Sequence, residues 1–383
     1  MAFDFDTVLD RASSDSRKWR KYAGRDVLPL WIADMDFAAP PAVIEALRER
    51  VDHGVFGYAV PMPSLVQAVV DYCARRYQWT IDPAWLVWLP GLVPGLNVAA
   101  KAFAEPGEAV LVCPPIYPPF LSAARNSGRE TLTVPLVAGR DGRHAVDWDG
   151  LERAVTPRTR ILFLCSPHNP VGRTFSREEL GRFGALAERH DLVLVSDEIH
   201  CDLILDDAPH TPVAALSPGV AARTVTMMAP SKTYNLPGLA TAFAVISDSR
   251  LRTRFVRAMA GFIPEMNPFG LVACEAALRH GEPWRQALLA YLRGNRDVLA
   301  DFVAREMPGV VLSPCAATYL AWLEVSALRL EAPGRFFEEH GVGLADGAQY
   351  GAPPGRHVRL NFGCPRATLR EALARMQRAL AAR

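Results

Sequence analysis

The sequence predicts an α/β protein built on a mainly parallel sheet flanked by helices, with a smaller α+β unit, and three observations carry that prediction. Short, unbroken apolar runs recur through the middle of the chain, the pattern of strands covered on both faces. Helical patterns separate several of them, the alternation that yields parallel strands. Beyond residue 280 the character changes to helices interleaved with isolated strand patterns.

In chain order, residues 1–45 read as an N-terminal arm, Pro-rich towards residue 40, that packs with the smaller unit. Residues 46–280 form the large unit, with strands at "AVLVC" (109–113), "ILFLC" (161–165), "LVLVSD" (192–197), "TVTMMA" (224–229) and "AFAVIS" (242–247). Between the second and third runs lies "SREELGRFGALAERH" (176–190), a helix opened by a capping box of Ser176 and Glu179. Residues 281–383 form the smaller unit, with a helix near 283–305, strands at "ATYLAWLEV" (317–325) and "HVRLNFG" (357–363), and a terminal helix. That last helix aligns Leu369, Leu373, Met376 and Leu380 on one stripe. At 383 residues the chain exceeds the usual size of a single core, which agrees with two units.

Half the residues are hydrophobic, 22% are charged, and 42 basic residues nearly balance 41 acidic ones. That balance argues against a nucleic-acid partner or a polybasic membrane surface and leaves small molecules or proteins. No segment approaches the roughly 18 uninterrupted apolar residues of a membrane span, and the first residues lack the apolar core of a secretion signal. A cytoplasmic location is the expectation. The seven cysteines are odd in number and scattered without a CxxC pair, so no metal site is expected. His53, His168 and His210 lack partners at metal-ligand spacing and read as structural.

In an open α/β sheet, ligands sit at the carboxyl ends of the strands. Three of those ends are chemically loaded: "ILFLC" leads into "SPHNPVG" with Asn169, "LVLVS" into Asp197 and His200, and "TVTMMAP" into Ser231 and Lys232. An amide, an acid and a lysine on one sheet edge meet the needs of a pyridoxal phosphate site. A lysine amine condenses with the cofactor aldehyde, and partial desolvation makes it a usable base. A buried carboxylate keeps the pyridine nitrogen protonated, so that the ring accepts electrons released at the substrate α-carbon. An amide donor can hold the ring's phenolate oxygen. For the phosphate, "LPGLVPGLNVAAKAF" (89–103) supplies a turn at Gly91 and a helix whose first turn contains Val93 and Pro94, with Ser231 adding a hydroxyl. In "HVRLNFG", strand alternation turns Arg359 away from Val358, Leu360 and Phe362. It is then either a fork for a substrate carboxylate or a surface arginine on a half-exposed strand.

"SPHNPVGRTFSREEL", "VSDEIHCDL" and "APSKTYNLPGLA" resemble the fold-type I pyridoxal phosphate enzymes, over nearly the whole chain. "LPLWIADMDFAAP" (28–40), "GVFGYAVP" (54–61) and "VRLNFGCPR" (358–366) narrow the resemblance to the cystathionine β-lyase-like C-S lyases, the MalY/PatB group of the aminotransferase class I/II superfamily. The resemblance implies a seven-stranded, mainly parallel sheet, pyridoxal 5'-phosphate as cofactor, a small amino-acid substrate, and a homodimer whose active site is shared between subunits. It also implies roles: Lys232 as the Schiff-base lysine, Asp197 at the pyridine nitrogen, Asn169 at the ring oxygen, Tyr117 stacked on the ring, and Arg359 on the substrate α-carboxylate. His200 stands where many aminotransferases carry a tyrosine. Tyr58 resembles a tyrosine that reaches the phosphate and substrate from the neighbouring subunit, while Trp31 and Asp34 border the substrate entrance.

A lyase and a transaminase share these cofactor motifs. Many class I/II aminotransferases place a phosphate-binding arginine eight residues after the lysine, whereas this chain has Ala240. Within the lyase-like group, Met228 replaces a common threonine and Ala317 a common glycine. The reading is a pyridoxal-phosphate-dependent C-S β-lyase that converts cystathionine or another cysteine S-conjugate to thiol, pyruvate and ammonia. The alternative is an aminotransferase of an amino acid, and a third reading is a regulatory protein that binds the cofactor.

Overall fold

The computed structural model describes residues 3–383, so residues 1 and 2 of the expected arm lie outside the described residues. Seven strands, β1 (Leu86–Leu89), β2 (Ala109–Val112), β3 (Glu130–Thr133), β4 (Thr159–Cys165), β5 (Val193–Asp197), β6 (Thr224–Met228) and β7 (Ala242–Val245), form one sheet in the order β1-β7-β6-β5-β4-β2-β3. β7 runs antiparallel to both its neighbours, and the other pairings are parallel. The fold is α/β with a mainly parallel sheet. Five of the strands coincide with the apolar runs in the sequence. The two that do not, β1 and β3, are the sheet's edges, and their half-exposed patterns hide them from a search for continuous hydrophobicity.

The unbroken runs exist because helices cover both faces. Ile161, Phe163 and Cys165 of β4 pack with Leu96, Ala99 and Phe103 of the helix Leu92–Phe103, while Leu162 and Leu164 face Leu180, Phe183 and Ala187 of the helix Arg177–Arg189. The second helix starts at the expected capping box: Ser176 Oγ accepts from the Glu179 N–H, and the Ser176 N–H donates to the Glu179 carboxylate. Gly95 lets the first helix approach the sheet closely, since a Cβ there would lie 2.5 Å from Met227 Sδ.

A second sheet, β8 (Val311–Leu312), β9 (Leu320–Glu324), β10 (Ala345–Asp346) and β11 (His357–Asn361), is antiparallel in the order β8-β9-β11-β10. The terminal helix Arg366–Ala381 buries Leu369, Leu373 and Met376 in a core shared with Leu320 and Leu360, and Leu380 closes the edge of that core. Phe5, Leu30, Met35 and Phe37 of the arm enter the same core, and Leu28–Pro29 pairs in parallel with Val342–Gly343. Among the described residues no helix is long and apolar enough to cross a membrane, no cluster of His, Cys, Asp and Glu could hold a metal ion, and all seven cysteines are buried and unpaired.

Candidate active site

Strand register brings the chemistry together. Cys165 at the end of β4 sits opposite Asp197 at the end of β5, which in turn sits opposite Met227 of β6. The segments leaving these strands therefore open side by side, on a cavity of about 450 Å³ whose lining includes Asn169, Asp197, His200, Ser231 and Lys232. Tyr117, Trp31, Arg359 and the helix start with Val93 and Pro94 complete the walls that the sequence anticipated.

One wall is Trp31 to Ala33 of the arm, part of a stretch, Trp31 to Met35, that belongs to no strand. Buried carbonyls must find donors, and here side chains from other segments supply them. Arg359 Nη2 donates to Trp31 O at 2.8 Å, and Asn361 Nδ2 donates to Ile32 O and Asp34 O, each at 2.7 Å. Ala33 O accepts from Lys232 Nζ at 2.6 Å and from the Tyr319 hydroxyl at 3.0 Å. Asn235 Nδ2 donates to Met35 O at 3.0 Å. Behind this wall, Lys18 is buried on Asp36 at 2.7 Å, and Asp36 also accepts from Arg11 at 2.6 Å and from the Trp19 indole at 3.0 Å.

The electrostatics are those of a closed pocket. Part of the Lys232 side chain opens on the cavity, yet the protein around it removes bulk water and lowers its pKa to about 8, with Arg359 pushing the same way and Asp34 and Asp197 opposing. Burial raises Asp197 to about 7; the Ile199 N–H, at 3.1 Å, pulls it down, Glu198 pushes it up and Lys232 pulls it down. His200 is held neutral by burial, with Lys232 and Arg359 adding to the effect, and its pKa falls to about 3. Arg359 is 3% exposed, so the alternative of a surface arginine is corrected. β11 is buried on both faces, because the side turned from the apolar core carries Arg359 beside Trp322 and Ala345 and looks into the cavity.

Not every anticipated residue arrives. Tyr58 is 95% exposed and lies outside the lining, and Asp34 turns its carboxylate to Arg11 at 2.6 Å instead of into the cavity. His168 Nε2 donates to Pro115 O at 2.8 Å and His210 Nε2 sits 2.7 Å from the Glu198 carboxylate, both structural placements. Four residues that the sequence did not single out also belong here. Arg17 and Gln349 line the cavity, Tyr350 lies with its ring 4.9 Å from the Arg359 guanidinium, and Tyr319 braces Ala33. "RKWRK" (17–21) carries four basic residues, and nothing in that string tells which one faces the cavity. Ala240, the departure from the transaminase pattern, lies on the lining in a left-handed conformation with φ 50°.

The family model described as "Aminotransferase class I and II" matches residues 25–376. The chain is 40% identical to cystathionine beta-lyase PatB of Bacillus subtilis (strain 168), over 98% of this chain and 100% of that protein. It is also similar to the crystal structure of OvoB, with a TM-score of 0.96 and 45% identity over 100% of both chains. Cystalysin from Treponema denticola, whose crystal structure contains a pyridoxal 5'-phosphate cofactor, matches with a TM-score of 0.96 and 30% identity over 100% of both chains.

Proposed function

We propose, from the premise that the chain belongs to the aminotransferase class I and II family, that it is a pyridoxal-phosphate-dependent carbon-sulfur β-lyase acting on cystathionine or a related cysteine S-conjugate. One observation carries the reading: an amine easily deprotonated, a buried carboxylate without a cation and an arginine with an unused donor open on one cavity. Lys232, Asp197 and Arg359 are these three. Whole-chain likeness to a cystathionine β-lyase supports the lyase over the transaminase, as does Ala240 on the lining.

The donor set fits the cofactor. Asp197 ionises with difficulty where it stands, and a protonated pyridine nitrogen supplies the cation it lacks. Gly91 precedes the helix Leu92–Phe103, whose first free N–H groups, with the Ser231 hydroxyl, suit a phosphate. Tyr117 offers an aromatic face on which the ring would stack, and Asn169 an amide that would donate to the ring oxygen. When bound, pyridoxal phosphate supplies a sink for the electrons released at the substrate α-carbon.

This chain's own residues do the rest. Arg359 takes the substrate α-carboxylate: its side chain lines the cavity, and Nη1 and Nη2 each spend one N–H on Asn169 Oδ1 and Trp31 O and keep a second. Lys232, whose pKa is lowered to about 8, gives up its proton far more readily than an ordinary lysine; it removes the α-proton and returns it where a leaving thiolate needs one. His200 stays uncharged and keeps a second cation away from Lys232. Trp31 and the wall around Ala33 exclude water from the reacting end. The working unit is a homodimer in the cytoplasm, with Tyr58 delivered to the neighbour's site. The exposed Val55, Phe56, Tyr58, Val60 and Met62 support such a contact.

Incubating the holoenzyme with cystathionine and several S-substituted cysteines tests the activity. Equal amounts of thiol and pyruvate are expected; neither product from any conjugate sinks it, and amino transfer to a 2-oxo acid without thiol identifies an aminotransferase instead.

A further inference from the structure

The cavity has a second guanidinium, and nothing in the described part of the chain neutralises it. Arg17 lines the mouth of the cavity whose inner wall holds Arg359. Its neighbours in the arm are committed elsewhere: Arg11 to Asp34 and Asp36 at 2.6 Å each, Lys18 to Asp36 at 2.7 Å, and Lys21 and Arg25 to Glu338 at 3.2 and 2.9 Å. Those acids are thus taken by other bases, and among the described residues Arg17 makes no ion pair or side-chain hydrogen bond.

Its position is built rather than incidental. Arg17 opens a single helical turn, Arg17–Arg20, in which the next residue, Lys18, is buried and fixed on Asp36 and on Asp34 O, while Trp19 is tied to Asp36. The Trp31 indole, also on the lining, donates to Lys18 O at 3.1 Å, which joins this turn to the cavity wall. An arginine held at a cavity mouth with its charge unspent is a receptor for an anion that arrives with the ligand. The Tyr117 hydroxyl lies within the field of both guanidiniums, each of which opposes the upward push of burial on its pKa. Both ends of one substrate could therefore be gripped across the same aromatic ring.

Resting on the lyase reading above, we infer that Arg17 is a specificity-determining residue that binds a carboxylate on the sulfur substituent. The favoured substrates are then cysteine S-conjugates whose leaving thiol is itself an acid. The α-carboxylate occupies Arg359, the Cβ–S bond lies near Lys232, and the substituent runs outwards to Arg17. The overall reaction is balanced by one water: R–S–CH2–CH(NH3+)–COO− and H2O give R–SH, pyruvate and NH4+. Arg17 takes no part in breaking the bond.

The test separates binding from turnover. Thiodipropionate, a dicarboxylate thioether without the amine needed to react with the cofactor, and 3-(ethylthio)propionate, its monocarboxylate counterpart, are titrated calorimetrically into the holoenzyme. Wild type should prefer the dicarboxylate by roughly tenfold, the worth of one charge-assisted contact. Arg17→Ala should bring that ratio to about one, Arg17→Lys should keep part of it, and Arg17→Glu should reverse it. In turnover, Arg17→Ala should raise KM for S-(2-carboxyethyl)cysteine by roughly tenfold with kcat unchanged, and leave S-ethylcysteine within about twofold. A ratio that survives in Arg17→Ala, an equal loss for both ligands, or no preference in wild type, weak binding of both included, overturns the inference. Absence of thiol from both conjugates with the binding ratio intact would instead sink the lyase reading and leave Arg17 as an anion receptor.

Discussion

Arg359 Nη1 donates to Asn169 Oδ1 at 3.0 Å in a buried space, so the residue proposed for the substrate carboxylate and the one proposed for the cofactor ring are mechanically one unit. The bond joins a strand of the second sheet to the loop leaving β4. Each side chain is thereby oriented by the other, and Tyr350 covers the guanidinium from a third direction.

Arg359→Lys should therefore cost more than a charge-conserving change suggests. One ammonium cannot reach Asn169, Trp31 O and a carboxylate together, and kcat/KM should fall by roughly a hundredfold, about 2.7 kcal/mol. Asn169→Ala should also weaken substrate binding, and the double variant should lose less than the sum of the two. Additive losses in the four-variant cycle would show that the bond is idle.

The lowered pKa of Lys232 has a kinetic consequence. Only the free amine attacks the cofactor aldehyde, so the rate at which stripped protein captures pyridoxal phosphate should rise with pH and level off above about 8. Stopped-flow absorbance across that range reads it directly. A plateau postponed to the ordinary lysine range would mean that the pocket does not desolvate the amine.

Asp197 should make the stripped protein sensitive to pH in the opposite sense to an ordinary paired carboxylate. Its folded pKa of about 7 stands above the ordinary 3.8, so ionising it opposes folding. The stability cost develops as pH rises from near 4 to about 7 and is complete above that range. Asp197→Asn should match wild type in denaturant unfolding at low pH and exceed it at pH 8, while binding the cofactor far more weakly. A wild-type protein as stable as the variant at pH 8 would refute the assignment.

The buried pair beneath the cavity wall is a stability element. Asp36→Ala leaves Lys18 buried without its counter-charge and should cost about 3–5 kcal/mol by removing the 2.7 Å ion pair between them. Thermal unfolding measures it. A loss within the range of a surface salt bridge, below about 1 kcal/mol, would mean that Lys18 finds water instead.

Tyr58 calls for a mixing experiment. Tyr58→Ala and Lys232→Ala should each be nearly inactive alone. If Tyr58 serves the neighbour's site, unfolding and refolding an equal mixture should restore activity to about a quarter of wild type, because half the dimers then hold one intact site. No recovery would assign Tyr58 to its own chain's site or to none.

The sequence by itself determined the five central strands, the capped helix, the terminal helix and the three loaded strand ends. Each of these rests on local chemistry: continuous apolar runs, a Ser-Glu cap, and polar residues at the points where buried strands must stop. Tertiary structure decided what those residues meet. The edge strands β1 and β3 exist because neighbours lend them hydrogen bonds, which no pattern within the strands records. Arg359 was divided in sequence between clamp and surface, and became buried because a second sheet folds its polar face onto the cavity. Arg17 and Lys18 are adjacent bases in one string, and only the placement of Asp36 decides that one is consumed in the interior while the other faces the cavity. Charge in a sequence gives a residue's capacity for pairing; which partners it finds is set by distances between segments far apart in the chain.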